Sequence, residues 1–276
     1  MKKKYEKINI IKSLQNPLLK KMVKLSKSTN LRQEKFFLVE GIREINCALK
    51  ANYLINSIFC CQPYLSDQAK ILYNTLILKK TNHYQLSEAC FEKMVRRKKT
   101  DGLCILFEKK TSNQNDDLFK KANFLLIIDE IEKPGNLGAI LRTADAAGVD
   151  LIVTTPQSPP LYHHNVIRSS LGASFIIPHL ELTPIKIKEL CLTHNIEIIG
   201  SVVDSKCKPY EQIKGQKKIA LILSSEDQGI SPYWSKNCTS KITIPMGGVM
   251  NSLNVSVAAG IILFEVNRQR RKASIN

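Results

Sequence analysis

Apolar residues recur along this chain at two spacings. Near the start, Leu18, Leu19, Met22, Val23 and Leu25 fall on one side of a helix, while Lys20, Lys21, Lys24 and Lys27 lie mostly elsewhere. That pattern predicts a helix from Asn16-Pro17 to about residue 34. Phe36-Phe37-Leu38-Val39 reads as a buried strand ending at Glu40-Gly41, with further strands over 55–60 and 102–107. Helices are predicted over 42–50, 69–75 and 88–97, the last with a basic end, Arg96-Arg97-Lys98-Lys99. Residues 1–15 are basic and expected to be loosely ordered. These elements make a compact α/β unit over residues 1–110. The stretch KKTSNQNDDLFKKA is polar and poor in apolar anchors, so residues 111–122 read as an interdomain linker.

From residue 123 to 276 the pattern changes to a regular alternation. Strands are predicted over 124–131, 151–155, 197–203, 218–224 and 241–246, with 174–177 extended. Helices are predicted over 136–147, 165–171, 184–194 and 231–237, and a long apolar helix opens after Ser252-Leu253-Asn254. Alternating strands and helices argue for a parallel sheet. The near-continuous apolar run at 218–224 suits a strand buried on both faces.

The loop between the last strand and the last helix invites a ligand. Gly247 and Gly248 carry no Cβ and let backbone approach a bound molecule. Ser252 and Asn254 are helix-capping residue types, and the helix start offers free N–H groups and a partial positive charge. No G-x-G-x-x-G and no P-loop pattern occurs, so a cofactor would be held in another way.

Charge divides the chain as its pattern does. The whole carries 41 Lys+Arg against 24 Asp+Glu, formally +17. Residues 1–110 hold 23 against 9, net +14, and residues 111–276 hold 18 against 15, net +3. The N-terminal part therefore suits a polyanion. The eight cysteines show no C-x-x-C and no paired Cys/His spacing; many sit in apolar runs. They read as small buried hydrophobes of a reduced, cytoplasmic protein without a structural zinc. No apolar run long enough to span a membrane is seen.

Three stretches carry a family resemblance: Asn136-Leu-Gly-Ala-Ile-Leu-Arg142-Thr-Ala, Ser225-Glu226-Asp-Gln-Gly229-Ile-Ser, and Ile244-Pro-Met246-Gly-Gly-Val-Met-Asn-Ser252-Leu253-Asn254-Val-Ser-Val-Ala. In this order they resemble the SpoU (TrmH-like) family of the SPOUT class of RNA ribose 2′-O-methyltransferases. Asn16-Pro17-Leu18 and Phe37-Leu38-Val39-Glu40-Gly41 resemble the ribosomal-protein-like substrate-binding domain that precedes it in many members. The resemblance implies a C-terminal parallel-sheet domain with a trefoil knot, S-adenosylmethionine as donor, no metal, and a homodimer. It places the cofactor around Ser224, Gly229, Ile244, Met246 and Leu253, where many members have glycine in place of Ser224. It places the chemistry on Arg142 and Asn136, with Glu226, Ser252 and Asn254 holding the site.

Methyl transfer from a sulfonium needs an aligned hydroxyl and somewhere for its proton to go. Relatives assign the base role to the arginine matched by Arg142. Neutralising a guanidinium at pH 7 costs about 7 kcal/mol or more, whereas a bidentate grip on phosphate suits it well. Both roles stay open for Arg142. Ribosomal RNA is the expected substrate, with transfer RNA as alternative and a non-catalytic RNA binder as the rival class. Arg96–Lys99 and Arg168 with Ser169 and Ser170 are candidate phosphate contacts; His163 and His164 are assigned no role.

Overall fold

In a computed structural model, residues 8–28, 30–78, 81–97, 100–110, 115–215, 217–225 and 229–273 are described. The chain forms two compact units, Met1–Thr111 with Tyr162–Phe175, and Ser112–Leu161 with Ile176–Asn276.

The first unit runs β1 (Asn9–Ile11), α1 (Pro17–Ser26), β2 (Phe36–Glu40), α2 (Ile42–Lys50), β3 (Ile55–Cys60), α3 (Asp67–Leu76), β4 (Asn82–Leu86), α4 (Glu88–Met94) and β5 (Leu103–Glu108). Its sheet is ordered β1-β4-β3-β5-β2, parallel from β1 to β3 and antiparallel around β5. Asn16 starts α1 as expected: its Oδ1 accepts from the backbone N–H of Leu18 and Leu19 at 2.9 and 3.2 Å, ahead of Pro17. The helix stops at Ser26 rather than near 34. Serine and asparagine side chains compete for backbone there, as where the Ser28 hydroxyl accepts from Asn30 N–H. β1 and β4 fall where no strand is expected from the pattern. β1 is a three-residue edge with only Ile11 buried, so it leaves little periodic signal.

The second unit contains α5 (Asn115–Lys121), β6 (Phe124–Asp129), α6 (Pro134–Ala146), β7 (Leu151–Thr154), then, after α7 (His164–Ser169) in the first unit, β8 (His179–Glu181), α8 (Pro184–Thr193), β9 (Glu197–Ser201), β10 (Lys208–Pro209), β11 (Ile219–Ser224), α9 (Pro232–Asn237), β12 (Ser240–Thr243) and α10 (Val255–Ala273). Its seven strands pair in the order β10-β12-β9-β11-β6-β7-β8, all parallel. Every residue of β6 and β11 is buried, as strands covered on both faces require. α10 packs along α6, and its far end is tied down by Arg270, which donates to the carbonyls of Asn123 and Lys217 at 2.9 and 2.7 Å.

Two boundaries differ from the sequence expectation. The stretch read as a linker holds α5, whose Phe119 is fully buried among Ile187, Leu190 and Cys191. Two adjacent apolar residues, Leu118 and Phe119, in an otherwise polar heptad are too little signal to mark a core helix. The second difference is Tyr162–Phe175, which packs into the first unit. The rings of Phe37 and Tyr162 lie 4.4 Å apart, and those of Phe37 and Phe175 5.6 Å apart. Tyr53 meets Phe175 edge-on at 5.3 Å. Gly172, at φ +87, sits where a Cβ would lie 2.7 Å from the Cβ of Cys47, so no other residue fits this approach.

Phe119→Ala should destabilise the second unit by about 3–5 kcal/mol, as for other fully buried phenylalanines. Denaturant unfolding followed by Trp234 fluorescence measures it; a change under about 1 kcal/mol would return 115–121 to the status of a linker.

Candidate functional site

The all-parallel sheet brings several strand C-termini to one edge, and the chain order reverses there: β6, β7 and β8 extend to one side while β9 and β12 lie on the other side of β11. Such switch points are where open α/β sheets hold ligands. A cavity of about 370 Å³ opens at this edge. Its wall includes Ser201 at the end of β9, Ser224 at the end of β11, Gly229 beyond it, and Ser252, Leu253 and Val255 leading into α10. The volume lies within the range of small-molecule pockets.

Ser224, Gly229, Ser252 and Leu253 are thus brought together as anticipated. Ser224 ends a regular strand, so its side chain imposes no strain. Its Oγ is buried and has no hydrogen-bond partner among the described residues, although it stands on the cavity wall. Its register neighbour on β6 is Asp129, whose Oδ2 is also buried and unpartnered. Gly229 has φ +65 and open space around its Cα, and its N–H donates to the Ser225 carbonyl at 3.2 Å. That conformation favours glycine. Gly247 and Gly248, in contrast, are exposed, with open space at the Cβ position and no positive φ, so no close backbone approach explains them. Ile244 and Met246 follow β12 and stand outside the cavity wall; Ile244 is half-buried and Met246 exposed.

Asn254 does what its residue type suggests. Its carbonyl accepts from Val257 and Ala258 N–H, and its Oδ1 accepts from Ser256 N–H at 3.0 Å, capping α10. Its amide Nδ2 donates to Asn136 Oδ1 at 3.3 Å, so two residues 118 positions apart meet. Asn136 lies in the first turn of α6 and is half-buried. Arg142, one and a half turns further along α6, is exposed and makes no ion pair among the described residues. Glu226 lies outside the described residues.

The wall residues Ser201, Val202, Val203 and Ile230 went unread in the sequence. The available signal was their place just beyond apolar strand runs, but the strand order that makes that edge a site is not written in local pattern. Among the described residues no group of three or more His, Cys, Asp and Glu side chains is arranged to hold a metal, and no helix is long and apolar enough to cross a membrane. The eight cysteines are free.

Residues 123–264 match the SpoU rRNA Methylase family, and residues 16–104 match the MRM3-like substrate binding domain. An uncharacterized tRNA/rRNA methyltransferase of Synechocystis is 29% identical over 269 residues, spanning 96% of this chain and 95% of that protein. The 23S rRNA (guanosine-2′-O-)-methyltransferase RlmB of Escherichia coli is 36% identical over 148 residues, 53% of this chain and 60% of that protein. A crystal structure of an RNA 2′-O ribose methyltransferase superposes with a TM-score of 0.77 at 28% identity, over 95% of this chain and 99% of that one. The AdoMet-bound rRNA methyltransferase of Sinorhizobium meliloti shares the fold at a TM-score of 0.83 and 23% identity, over 95% of this chain and 98% of that one. With more than half its length matched, from the strand before the Asn136 motif into the helix capped by Asn254, the chain belongs to the SpoU rRNA methylase family.

Proposed function

We propose that this protein transfers a methyl group from S-adenosylmethionine to a ribose 2′-hydroxyl of RNA, with large-subunit ribosomal RNA as the substrate. The observation that carries the reading is the cavity at the sheet's switch edge, walled by Ser224, Gly229, Ser252 and Leu253 and adjoined in sequence by the Asn254–Asn136 contact. The names of the relatives and the +14 balance of residues 1–110 support RNA as the acceptor.

The cavity suits the donor. It offers apolar surface from Leu223, Leu253 and Val255, serine hydroxyls at 201, 224 and 252, and at Ser224 a buried oxygen with a hydrogen bond left to make. Bound there, the donor would supply an already activated methyl group, so no metal is required. The protein's own tasks are to hold the ribose hydroxyl in line, take its proton and exclude water. Asn136 and Asn254 brace the start of α6 against the start of α10. The exposed, unpaired Arg142 guanidinium is available to a phosphate or ribose oxygen. The clamp role follows from its chemistry, and a share in deprotonation rests on the acceptor hydroxyl reaching it.

The homodimer is part of the same proposal, as is the trefoil knot, which the insertion of β11 between β9 and β6 supports. On α10, Val257 and Phe264 are 50% and 47% exposed with half-buried Ile261 between them, an i, i+4, i+7 apolar stripe on a helix that already packs on α6. A second copy of the same face would cover it.

Labelled S-adenosylmethionine incubated with total RNA lacking the modification should place label at a ribose 2′-O of large-subunit RNA, mapped by nucleotide. Label only in transfer RNA would change the substrate, and none despite donor binding would leave an RNA binder. Arg142→Lys should weaken RNA binding and lower turnover while leaving the shape of the pH–rate profile intact; a shifted profile with unchanged RNA affinity would make it the base. Asn254→Ala should cost about 1 kcal/mol of stability through the lost cap and should lower donor affinity as well, read by thermal melting and titration calorimetry. Phe264→Glu should convert dimer to monomer in light scattering and remove activity with it.

A further inference from the structure

Residues from three separate stretches of sequence converge in the first unit. Glu40 ends β2, Arg96 and Arg97 follow α4, and His163, His164 and Arg168 come with the Tyr162–Phe175 segment. Two small adjoining hollows, of about 30 and 20 Å³, form a shallow recess there: Leu38, Met94 and Cys104 floor the first beside Arg96 and His164, and Arg97 and Arg168 line the second, so the recess can take the edge of a base but not enclose it. Glu40 belongs to both parts. Its Oε2 accepts from the backbone N–H of Arg96 at 3.0 Å. The backbone N–H of Arg97 also favours its charged form, and since a carboxylate has about four acceptor positions Glu40 keeps acceptor capacity to spare. The guanidiniums of Arg96, Arg97 and Arg168 are exposed, and none makes an ion pair within 4.0 Å among the described residues.

The electrostatics agree with the geometry. His164 is pushed down to about 4, by burial first and then by His163, Arg96 and Arg168. His163 is lowered by burial and by Arg96. Both imidazoles are therefore neutral at pH 7, with their rings 4.4 Å apart, in a place where additional positive charge is disfavoured and an anion is favoured. Burial raises the Glu40 carboxyl, while the backbone N–H of Arg96 and the guanidinium of Arg97 draw it back down. An acceptor carboxylate, the neutral His164 ring with His163 behind it, an apolar floor and three guanidiniums that make no ion pair within 4.0 Å among the described residues form a set suited to one nucleotide unit. Arginine takes the phosphate, rings stack, and the acceptor reads a base edge.

We propose that this recess reads one guanosine of single-stranded RNA, with Glu40 accepting from the adjacent N1–H and N2–H donors of the base and Arg96, Arg97 and Arg168 gripping the flanking phosphates. Guanine alone among the four bases presents two neighbouring donors to a single carboxylate; adenine and cytosine place a ring acceptor beside their amino group, and uracil offers one donor between two acceptors. This deepens the RNA-methylating reading and rests on it only for the claim that RNA is the partner.

The full chain is titrated by fluorescence anisotropy with eight-nucleotide adenosine RNAs carrying one central guanosine, inosine or adenosine, at several salt concentrations. Inosine lacks the N2 amino group alone. Guanosine should bind about fivefold tighter than inosine and about tenfold or more tighter than adenosine. Glu40→Gln, which keeps the acceptor for Arg96 N–H, should erase that order. Arg96→Ala with Arg168→Ala should weaken all three RNAs alike and reduce the salt slope by about 1.4, the value for two single-strand phosphate contacts. Donor binding and the melting temperature serve as controls, since none of these residues lines the cavity at 224–255. A base order that survives Glu40→Gln, or a slope unmoved by the arginine changes, would overturn the recess while wild-type RNA binding kept the general reading intact. If the wild-type chain bound no RNA at low salt, both would fall.

Discussion

The second unit depends on the pairing of β6 with β11. Six residues on each strand, Phe124–Asp129 and Ile219–Ser224, run in parallel register with every side chain buried. Such strands bury apolar surface on both faces at roughly 25 cal/mol per Å², and they stay together only if helices cover both sides. α10 meets this need on one face by returning along α6, while α5, α8 and α9 enclose the opposite face around Phe119, Ile187 and Trp234. The cost appears where the pair ends. Asp129 and Ser224 are register partners, and each keeps a buried side-chain oxygen without a hydrogen bond. Orphaned polar atoms destabilise a fold, and of the two Ser224 stands on the cavity wall, where a ligand could take up its hydrogen bond.

The capping of α10 shows one residue serving stability and site together. Asn254 accepts from the helix start with its carboxamide oxygen and donates to Asn136 with its nitrogen. An aspartate could cap the helix as well but has no donor for Asn136, and a serine has one short hydroxyl for both tasks. The use of an acceptor and a donor on separate atoms suits asparagine to this position.

In the first unit the corresponding constraint is aromatic. Phe37, Tyr53, Phe107, Tyr162 and Phe175 form one set of ring contacts, and Lys110 lies 4.6 Å over the Tyr53 ring. Because two of these rings come from residues 162–175, the basic residues of that segment are held beside Arg96 and Arg97. Weighed separately in the sequence, the 96–99 run and Arg168 read as candidate phosphate contacts and the histidine pair as ordinary surface. Their combined meaning depends on being side by side.

Sequence alone determined a good deal. The apolar runs marked the central strands, Asn16-Pro17 and Asn254 marked two helix starts, the charge asymmetry set the N-terminal part off from the rest, and three motifs identified the family. These are local properties, set by side-chain spacing and by which residues satisfy helix ends. The tertiary structure decided the rest: the order β12-β9-β11-β6 that makes a cavity of strand ends, the membership of α5 in a core on the strength of Phe119, and the transfer of Tyr162–Phe175 to the first unit. It also showed that no protein group crowds Gly247 or Gly248. The physical reason is common to all four. Strand order, the packing of a single aromatic and the space beside a glycine depend on partners far away in sequence, and no short window contains them.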